Sequence, residues 1–265
     1  MNENFPKEGA NAKEGAGCYV VTGASRGIGA AVTRLIAQRG EQVVAVARHA
    51  EALEAACAGE PNVHCMAADC ADDSAVATIA AAVRATGLPV RGFVHAAGFT
   101  TLAPLGMIDS AEARRLYDTH ALFPLQFLGW FAKKPNHTPD AAAVLISSLA
   151  AHEGARANAA YAAAKGAVEG FLKSAAGELV TRGLRLNALV LGIVETELAR
   201  EALLDGVPQA RLDALRRSYP LGFGSPENVA EIVDFLLSPS ARWITGQCLV
   251  ADGGHLVRGE TEMNA

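Results

Sequence analysis

Two side chains near the middle of the chain have types and a spacing suited to acid–base chemistry. Tyr161 and Lys165 are four residues apart, so on a helix their side chains share one face. A nearby ammonium favours phenolate over phenol, which predicts that Lys165 lowers the pKa of Tyr161 toward neutrality, where the phenol can exchange a proton. The spacing alone is equally compatible with a packed tyrosine and a solvated lysine.

A glycine-rich loop is the second chemical feature. Residues 22–29 read Thr-Gly-Ala-Ser-Arg-Gly-Ile-Gly and follow a short apolar run. Gly23, Gly27 and Gly29 allow a tight turn with backbone close to a ligand, and the start of the next helix offers free amides and partial positive charge to a pyrophosphate. Because the loop lies between a predicted strand and a predicted helix, it indicates a dinucleotide site.

Apolar runs alternate with amphipathic, alanine-rich segments along the chain. The runs are nearly continuous in Val, Ala, Leu and Ile, which is typical of strands buried on both faces. The repetition predicts a single-domain α/β fold, a Rossmann-like doubly wound parallel sheet of about seven strands with helices on both faces. The predicted strands are Cys18–Thr22, Gln42–Ala47, Asn62–Ala67, Val90–His95, Ala142–Ser148, Leu184–Val190 and Gln247–Ala251. The predicted helices are Gly27–Arg39, Asp72–Thr86, Ser110–Ala132, Ala160–Thr181 and Pro226–Leu237.

Charge and composition narrow the class of protein. The chain has 265 residues and a net charge of −5 without a basic block, so nothing indicates nucleic acid. No apolar run reaches the roughly 20 residues of a membrane span, and residues 1–17 lack the apolar core of a signal peptide. The five cysteines show no Cys-x-x-Cys spacing, so no metal site or disulfide is expected. These features predict a cytoplasmic protein with reduced thiols.

The domain boundaries follow from the same pattern. Residues 1–16 are predicted to be a flexible N-terminal tail, residues 17–258 the catalytic domain, and residues 259–265 a C-terminal tail. Residues 133–140 are interpreted as a helix exit and turn, because no linker divides the chain. Residues 195–220 do not fit the strand–helix rhythm and are predicted to form a substrate lid, with a plain surface helix as the alternative.

The glycine loop, the Tyr-x3-Lys pair and Ser148, thirteen positions before Tyr161, together resemble the short-chain dehydrogenase/reductase family, including its 3-oxoacyl carrier-protein reductase-like members. The resemblance extends from about Cys18 to Gly254. His95-Ala96-Ala97-Gly98 stands where the family has Asn-Asn-Ala-Gly. Residues 187–192 resemble its Asn-x3-Pro-Gly turn, with Leu191 in place of the proline, and the segments at 219–222, 244–247 and 252–254 resemble its C-terminal end.

The resemblance implies a role for each of these residues. Tyr161 would protonate a carbonyl oxygen as hydride arrives, or act as the base in reverse. Ser148 would hydrogen-bond the same oxygen, and Lys165 would lower the tyrosine pKa and hold the nicotinamide ribose. Donors that converge on an oxygen gaining charge stabilise the transition state more than the ground state. The implied cofactor contacts are Gly23, Ser25, Arg26, Gly27, Ile28, Gly29, Arg48, Asp69, Cys70, Ala96, Ala97, Gly98, Gly192, Val194 and Thr196, together with Tyr161 and Lys165.

The end of the second strand predicts which nicotinamide cofactor is used. An NAD-binding site places a carboxylate there to accept from the ribose hydroxyls, whereas this chain has Ala47. Arg48 follows, and Arg26 lies in the glycine loop; guanidinium groups suit phosphate recognition. We therefore predict NADP(H), with the alternative that Arg48 is a solvated loop residue.

Three histidines depart from the family pattern or lie near the site. His120 stands where the family commonly has an asparagine that supports a water relay behind the lysine, so it either carries the relay and titrates near neutral pH or only packs. His95 is interpreted as structural. His152, four residues beyond Ser148, either lines the substrate pocket or is solvated.

These features predict an NADPH-dependent carbonyl reductase, or the reverse alcohol dehydrogenase. The substrate would be a small or medium ketone, such as a 3-oxoacyl thioester, a cyclic ketone or a biosynthetic intermediate. Arginines in the lid either hold an anionic group of the substrate or form a solvated face. The alternatives are a non-catalytic NADP-binding regulator and an isomerase or dehydratase with transient hydride transfer. Small and apolar residues on several helix faces predict a homodimer or homotetramer.

Overall fold

A seven-stranded sheet forms the centre of the molecule, as described by a computed structural model for residues 16–257. Every pair of neighbouring strands is parallel, and the order is β3-β2-β1-β4-β5-β6-β7. The predicted Rossmann-like sheet is confirmed. The tails expected at residues 1–16 and 259–265 lie outside the described residues, apart from residue 16. The strands are β1 Cys18–Thr22, β2 Gln42–Ala47, β3 Val63–Ala67, β4 Val90–His95, β5 His137–Ser148, β6 Arg185–Leu191 and β7 Cys248–Ala251.

Helices cover both faces of the sheet and connect its parallel strands. The α-helices are α1 Gly27–Gln38, α2 Ala50–Ala56, α3 Ala75–Thr86, α4 Ser110–Tyr117, α5 Phe123–Phe131, α6 Ala159–Val180, α7 Glu197–Ala199, α8 Gln209–Arg217 and α9 Pro226–Leu237. The sequence analysis missed α2, a helix of 7 residues whose only buried side chain is Leu53, too few for a clear periodic pattern. Within residues 16–257, no helix is long and apolar enough to cross a bilayer.

The predicted helix over 110–132 is wrong in its middle, where a π-helical segment, Asp118–Leu122, separates α4 from α5. Pro124 has no N–H to donate to the carbonyl of His120 four residues earlier, so regular hydrogen bonding cannot continue through this point. The proline was visible in the sequence. Its consequence is that backbone carbonyls of this segment become available to other groups.

Two hydrophobic cores lie on opposite faces of the sheet because successive strand residues point in opposite directions. In β1, Tyr19 and Val21 pack with α1 and α9, whereas Cys18 and Val20 pack with α3, α5 and α6. The edge strands differ from the predicted pattern of burial on both faces. Residues of β3 and β7 are partly exposed, since an edge strand has one neighbour and is only partly covered.

The first residues of β5 were predicted to be a turn, and this prediction is wrong. His137 pairs with Val90, after which the register shifts so that Ala142 pairs with Gly92. The intervening Asp140 has φ of 61°. The strand therefore begins at His137 and contains an irregularity. Pro139 and Asp140, which lie in this irregularity, had led to the prediction of a turn.

Arg185 is a buried charge on β6 that the sequence analysis did not notice. Its guanidinium donates to the carbonyl oxygens of Leu236 at 2.7 Å, Leu237 at 3.2 Å and Ser238 at 3.1 Å. These are carbonyls at the C-terminus of α9, where a cation is favourable and where intrahelical donors are missing. Arg185 thus satisfies the end of the helix that packs on α1.

We expect Arg185→Met to lower the free energy of unfolding by about 2–3 kcal/mol, because buried carbonyls lose a charged donor. Urea unfolding followed by circular dichroism measures the change. Arg182→Met is the matched control: Arg182 is exposed and donates to a single carbonyl, that of Ala132, at 2.7 Å. Equal losses in both variants would contradict a role for the buried bonds.

Candidate active site

A cleft runs along the carboxyl edge of the sheet, where β1, β2, β3 and β4 end. Thirteen of the predicted cofactor residues line it, which are Gly23, Ser25, Arg26, Gly27, Ile28, Gly29, Arg48, Asp69, Cys70, Ala96, Ala97, Gly98 and Thr196. Ala47, on which the cofactor prediction depends, also lines it. The sequence analysis did not include the other lining residues, which are Val46, Ala68, Phe99, Thr119, Glu197 and Leu198. The order of the sheet therefore brings together segments far apart in the chain.

The glycine loop packs so closely that two of its glycines have no room for a side chain. A Cβ on Gly29 would lie 2.2 Å from the carbonyl oxygen of Gly23, and Gly23 itself has φ of 72°. Arg26, the N-cap of α1, forms no side-chain cap, and the first turn contains no acidic residue. The first amides of α1 are thus available to an anion, which fits the pyrophosphate of a dinucleotide.

The end of β2 carries no carboxylate and lies near two arginines. Ala47 and Arg48 both line the cleft. Arg26 forms an exposed ion pair with Glu201 of the lid, with its Nη1 3.2 Å from Oε1. Exposed pairs of this kind contribute at most about 1 kcal/mol, so Arg26 can exchange Glu201 for a more highly charged phosphate.

Arg115 is a cleft-edge residue that the sequence analysis missed. Its Nη2 lies 2.8 Å from Oδ2 of Asp69, and its guanidinium lies 5.7 Å from the ring centroid of Phe99. Asp69 also accepts a hydrogen bond from the amide of Ala71 at 3.0 Å. Arg115 therefore ties α4 to the end of β3, a pairing between residues 46 positions apart that no local pattern indicates.

Two residues at the end of β5 hold the Tyr161–Lys165 pair. Nζ of Lys165 donates to the carbonyl oxygen of Ile146 at 2.8 Å. The hydroxyl of Ser148 interacts with the Tyr161 side chain and accepts from the amide of Ala150 at 3.2 Å. The serine chosen from its spacing, Ser148, is thus the one beside the tyrosine.

The expectation that Lys165 lowers the pKa of Tyr161 toward neutrality is wrong for this structure. Burial raises the pKa of Tyr161 to about 12, and the interaction with Ser148 opposes this rise only in part. Nζ of Lys165 is engaged with Ile146 and lies 5.6 Å from the centroid of the tyrosine ring. The loss of solvation of the phenolate therefore outweighs the attraction of the ammonium, and Tyr161 is protonated.

Lys165 is also affected by its surroundings. Its side chain is buried, and burial lowers its pKa to about 7, while the charge of Glu169 raises it. Glu169 lies four residues further along α6 and accepts a hydrogen bond from Ser147. His152 contacts the same carboxylate at 2.8 Å, and its side chain is 43% exposed.

His120 lies between Gly98, in the segment after β4, and Tyr161. Its ring meets that of Tyr161 edge to face, with centroids 5.4 Å apart, and fills the space beside Gly98, where a Cβ would lie 2.2 Å from the ring. Nε2 donates to the carbonyl oxygen of Phe99 at 2.8 Å. Among the described residues, Nδ1 is buried without a hydrogen-bond partner.

The expected titration of His120 near neutral pH is wrong. Burial, with a smaller contribution from the charge of Lys165, holds the pKa of His120 well below its usual value, so the imidazole stays neutral. With Nε2 protonated, Nδ1 is an acceptor beside the Tyr161 ring. A role of His120 in proton relay remains a prediction.

His95 forms a fully satisfied buried network. Its Nε2 donates to the carbonyl oxygen of Thr119 in the π-helical segment at 2.9 Å. Its Nδ1 therefore accepts from the hydroxyl of Thr22 at 2.9 Å, and that oxygen accepts from the amide of Ala97 at 3.3 Å. One neutral tautomer connects β1, β4 and the broken helix, which supports the structural interpretation of His95.

We expect the stability of the protein to fall as the pH drops from about 6.5 toward 3. Burial lowers the pKa of His95 from 6.5 to about 3, so in this range the unfolded chain binds a proton that the folded chain does not. The loss is roughly 1.4 kcal/mol per pH unit for this group. In His95→Asn the slope of unfolding free energy against pH should decrease by about that amount. His64→Asn, at an exposed position, is the control and should leave this slope unaltered. Equal slopes in the parent and both variants would contradict the argument from the burial of His95.

Four predicted cofactor residues are not among those lining the cleft: Tyr161 and Lys165, described above, and Gly192 and Val194. Gly192 packs so tightly that a Cβ would lie 2.8 Å from the ring of Tyr219 and 2.9 Å from Asp252. Val194 is buried and bridges to Gly224. Both positions support the turn that leads to Thr196, whose hydroxyl accepts from the amide of Ala199 at 3.2 Å and begins the lid.

A parallel sheet with a dinucleotide-shaped cleft, a serine and tyrosine at one end and a lysine behind them define a Rossmann-type oxidoreductase. A family model described as enoyl-(acyl carrier protein) reductase matches residues 23–255. The chain belongs to the short-chain dehydrogenase/reductase family, as the resemblance had implied, and is an oxidoreductase of alcohols and carbonyl compounds with a nicotinamide cofactor.

Relatives in several bacteria are similar over most of their length. D-threitol dehydrogenase of Mycolicibacterium smegmatis is 35% identical over 250 residues, covering 90% of this chain and 92% of the relative. The 3-oxoacyl-[acyl-carrier-protein] reductase of Vibrio cholerae is 31% identical over 249 residues, with 89% and 95% coverage. The solved short-chain dehydrogenase/reductase of Brucella melitensis, titled a glucose/ribitol dehydrogenase, is 30% identical, with 91% and 97% coverage and a TM-score of 0.83.

Proposed function

We propose that the protein is an NADPH-dependent reductase that converts the ketone of a small or medium substrate to an alcohol, or catalyses the reverse reaction. The observation that carries the proposal is the placement of the Ser148 and Tyr161 hydroxyls together, with buried Lys165 one turn behind. A protein that only bound a dinucleotide would not need a protonated phenol at this position. A buried proton donor beside a second hydroxyl suits a carbonyl oxygen that gains negative charge.

The residues divide the work as follows. The cofactor supplies the hydride when bound. Ser148 would orient the substrate oxygen by hydrogen bonding, and Tyr161, protonated because burial raises its pKa to about 12, would donate the proton. Lys165 would hold the nicotinamide ribose and assist the loss of the tyrosine proton. The neutral His120 would accept a hydrogen bond at Nδ1 and so supply one step of the relay that returns a proton to the site.

The choice of NADP(H) is supported by the charges at the end of β2. Ala47 leaves no carboxylate to repel a 2′-phosphate, and Arg48 lines the same part of the cleft. Arg26, held by a weak exposed pair with Glu201, is a second guanidinium within the glycine loop. The uncapped N-terminus of α1 would hold the pyrophosphate, and Asp69 and Cys70 would border the adenine.

The substrate class follows from the lid and the relatives. The lid, residues 195–220, contains α7, a π-helical segment at Arg200–Leu204, and α8, and its outer surface is largely exposed. One lid arginine, Arg216, lies 3.9 Å from Glu195 and is therefore partly neutralised. One relative is named for a polyol and another for a 3-oxoacyl thioester. Hydroxy-ketones and 3-oxoacyl thioesters are therefore the candidate substrates to test first.

Assembly and location complete the proposal. Large apolar side chains are exposed on α4, α5, α6 and α9 and in or near β7, which supports a homodimer or homotetramer. Those with more than 40% of their surface exposed include Tyr117, Leu125, Val180, Phe235, Trp243 and Val250.

All five cysteines are free thiols, which suits the reducing cytoplasm. Residues 17–258 would act as one catalytic domain. Sedimentation of purified protein tests the assembly.

The decisive experiment is a screen of ketones and acyl thioesters with NADPH and, separately, NADH, followed by nicotinamide absorbance. Stoichiometric conversion of one ketone to its alcohol with preferential use of NADPH is the expected result. Turnover without net consumption of cofactor would favour the isomerase alternative. Tight binding of NADPH without turnover of any compound would favour a regulator.

A further inference from the structure

Glu169 is a mostly buried carboxylate one helical turn beyond Lys165. Its side chain is 14% exposed, and both of its oxygens are engaged. Oε1 accepts a hydrogen bond from the hydroxyl of Ser147 at 2.6 Å, and Oε2 lies 2.8 Å from Nε2 of His152. Ser147 is itself 2% exposed, so the carboxylate is held in a fixed position and not on a mobile surface arm.

The carboxylate of Glu169 is held by the same end of β5 that holds Tyr161 and Lys165. Ser147 follows Ile146, whose carbonyl holds Lys165, and precedes Ser148, whose hydroxyl interacts with Tyr161. Three consecutive residues of β5 thus hold three residues of α6 that are spaced by four and share one face. The same strand end that positions the tyrosine and the lysine also positions a negative charge beside the lysine.

The titratable groups around Glu169 come from three elements. Lys165 and Lys173 lie on α6, His152 lies in the loop after β5, and Cys248 lies on β7. Burial raises the pKa of the Cys248 thiol, so it carries no charge that would replace that of Glu169. The other groups that face Lys165 are uncharged, because burial depresses the histidine pKa values and raises that of the phenol: His95, His120 and Tyr161.

We propose that Glu169 is a positioning residue for the catalytic lysine: its carboxylate, fixed by Ser147 and His152, keeps Lys165 in the ammonium form. The proposal rests on the role of Lys165 in the proposed function. Burial lowers the pKa of Lys165, the charge of Glu169 opposes that decrease, and the balance of the two is a pKa of about 7. Activity that needs the ammonium is present below this pKa and is lost as the pH rises through it. Removal of the carboxylate charge should therefore move that loss to lower pH.

The test compares pH profiles of kcat/KM for ketone reduction in matched variants. In Glu169→Gln we expect the alkaline limb to shift down by about 0.5–1 pH unit, so that the rate at pH 8 falls about three- to tenfold while the low-pH plateau persists. Glu169→Asp keeps the charge but withdraws it by one methylene, and its limb should lie between the two. Glu178→Gln removes the same charge from an exposed site on α6, 13 residues beyond Lys165 and so about 20 Å along the helix, and should match the parent.

A second readout needs no turnover. Competitive acetylation of Lys165 with acetic anhydride, followed by mass spectrometry across pH, reports its pKa directly, and the value should fall in the order parent, Asp variant, Gln variant. An unshifted labelling curve, or a uniform loss of rate at every pH, would overturn the proposal and leave Glu169 a structural residue. A parent enzyme that reduces no ketone would overturn the proposed function, while the labelling order would still decide the electrostatic role.

Discussion

Replacement of Tyr161 by phenylalanine is expected to reduce kcat for ketone reduction about 1,000-fold, with little change in the affinity for the cofactor. The substitution removes one hydroxyl, the proposed proton donor beside Ser148. Positioned general acids contribute about 100- to 10,000-fold to a rate. The ammonium of Lys165 is not placed to replace the phenol, because its Nζ is held by the carbonyl of Ile146 and lies 5.6 Å from the centroid of the tyrosine ring. Steady-state kinetics with a substrate from the screen, together with a fluorescence titration of NADPH, measures both quantities.

The chain provides a matched control for this change. Tyr117, at the end of α4, is 47% exposed, and Tyr117→Phe removes the same hydroxyl from a position away from the cleft. Its kcat should lie within a factor of about two of the parent, as expected for a surface change. A Tyr161→Phe enzyme that kept more than a tenth of the parental kcat would show that the proton comes from another group.

The second large effect is expected from Ala47→Asp, which places a carboxylate at the end of β2. The kcat/KM with NADPH should fall about 100-fold, while that with NADH should stay the same or rise. The new carboxylate would repel the 2′-phosphate and could accept hydrogen bonds from ribose hydroxyls instead. A change of about 2.7 kcal/mol in binding corresponds to this factor. Initial rates with both cofactors measure the switch.

Two further variants separate cofactor recognition from general effects of charge. Ala58→Asp adds the same charge at an exposed position outside the cleft and should change neither value. Arg48→Gln removes a cation without burying a charge, so it should weaken NADPH about tenfold and leave NADH unchanged. If neither Ala47→Asp nor Arg48→Gln altered the ratio of kcat/KM with NADPH to that with NADH, the end of β2 would not be the site that recognises the 2′-phosphate.

The local features of this protein were predictable because they repeat at short range. The runs Cys18–Thr22 and Val90–His95 match observed strands to the residue, since every position except Arg91 is buried. The glycine loop was equally predictable, because Gly29 is required by a backbone contact with Gly23 in the same loop and Gly23 by its positive φ. Helix α2 was not predicted, because a short exposed helix has little periodicity. The break at Asp118–Leu122 was not predicted either, because the apolar pattern continues across it and only one proline indicates the interruption.

The sequence by itself predicted the parallel α/β fold, the cleft and the candidates Ser148, Tyr161 and Lys165, all of which depend on spacing along the chain. The tertiary structure decided the ionisation of these groups, and it reversed the expected direction for Tyr161. It also decided the pairing of Glu169 with Ser147 and His152. The physical reason is that desolvation and Coulomb interactions depend on burial and on distance in space. The groups that fix Lys165 and Glu169 in place, Ile146, Ser147 and His152, are 17 to 22 positions away in the chain.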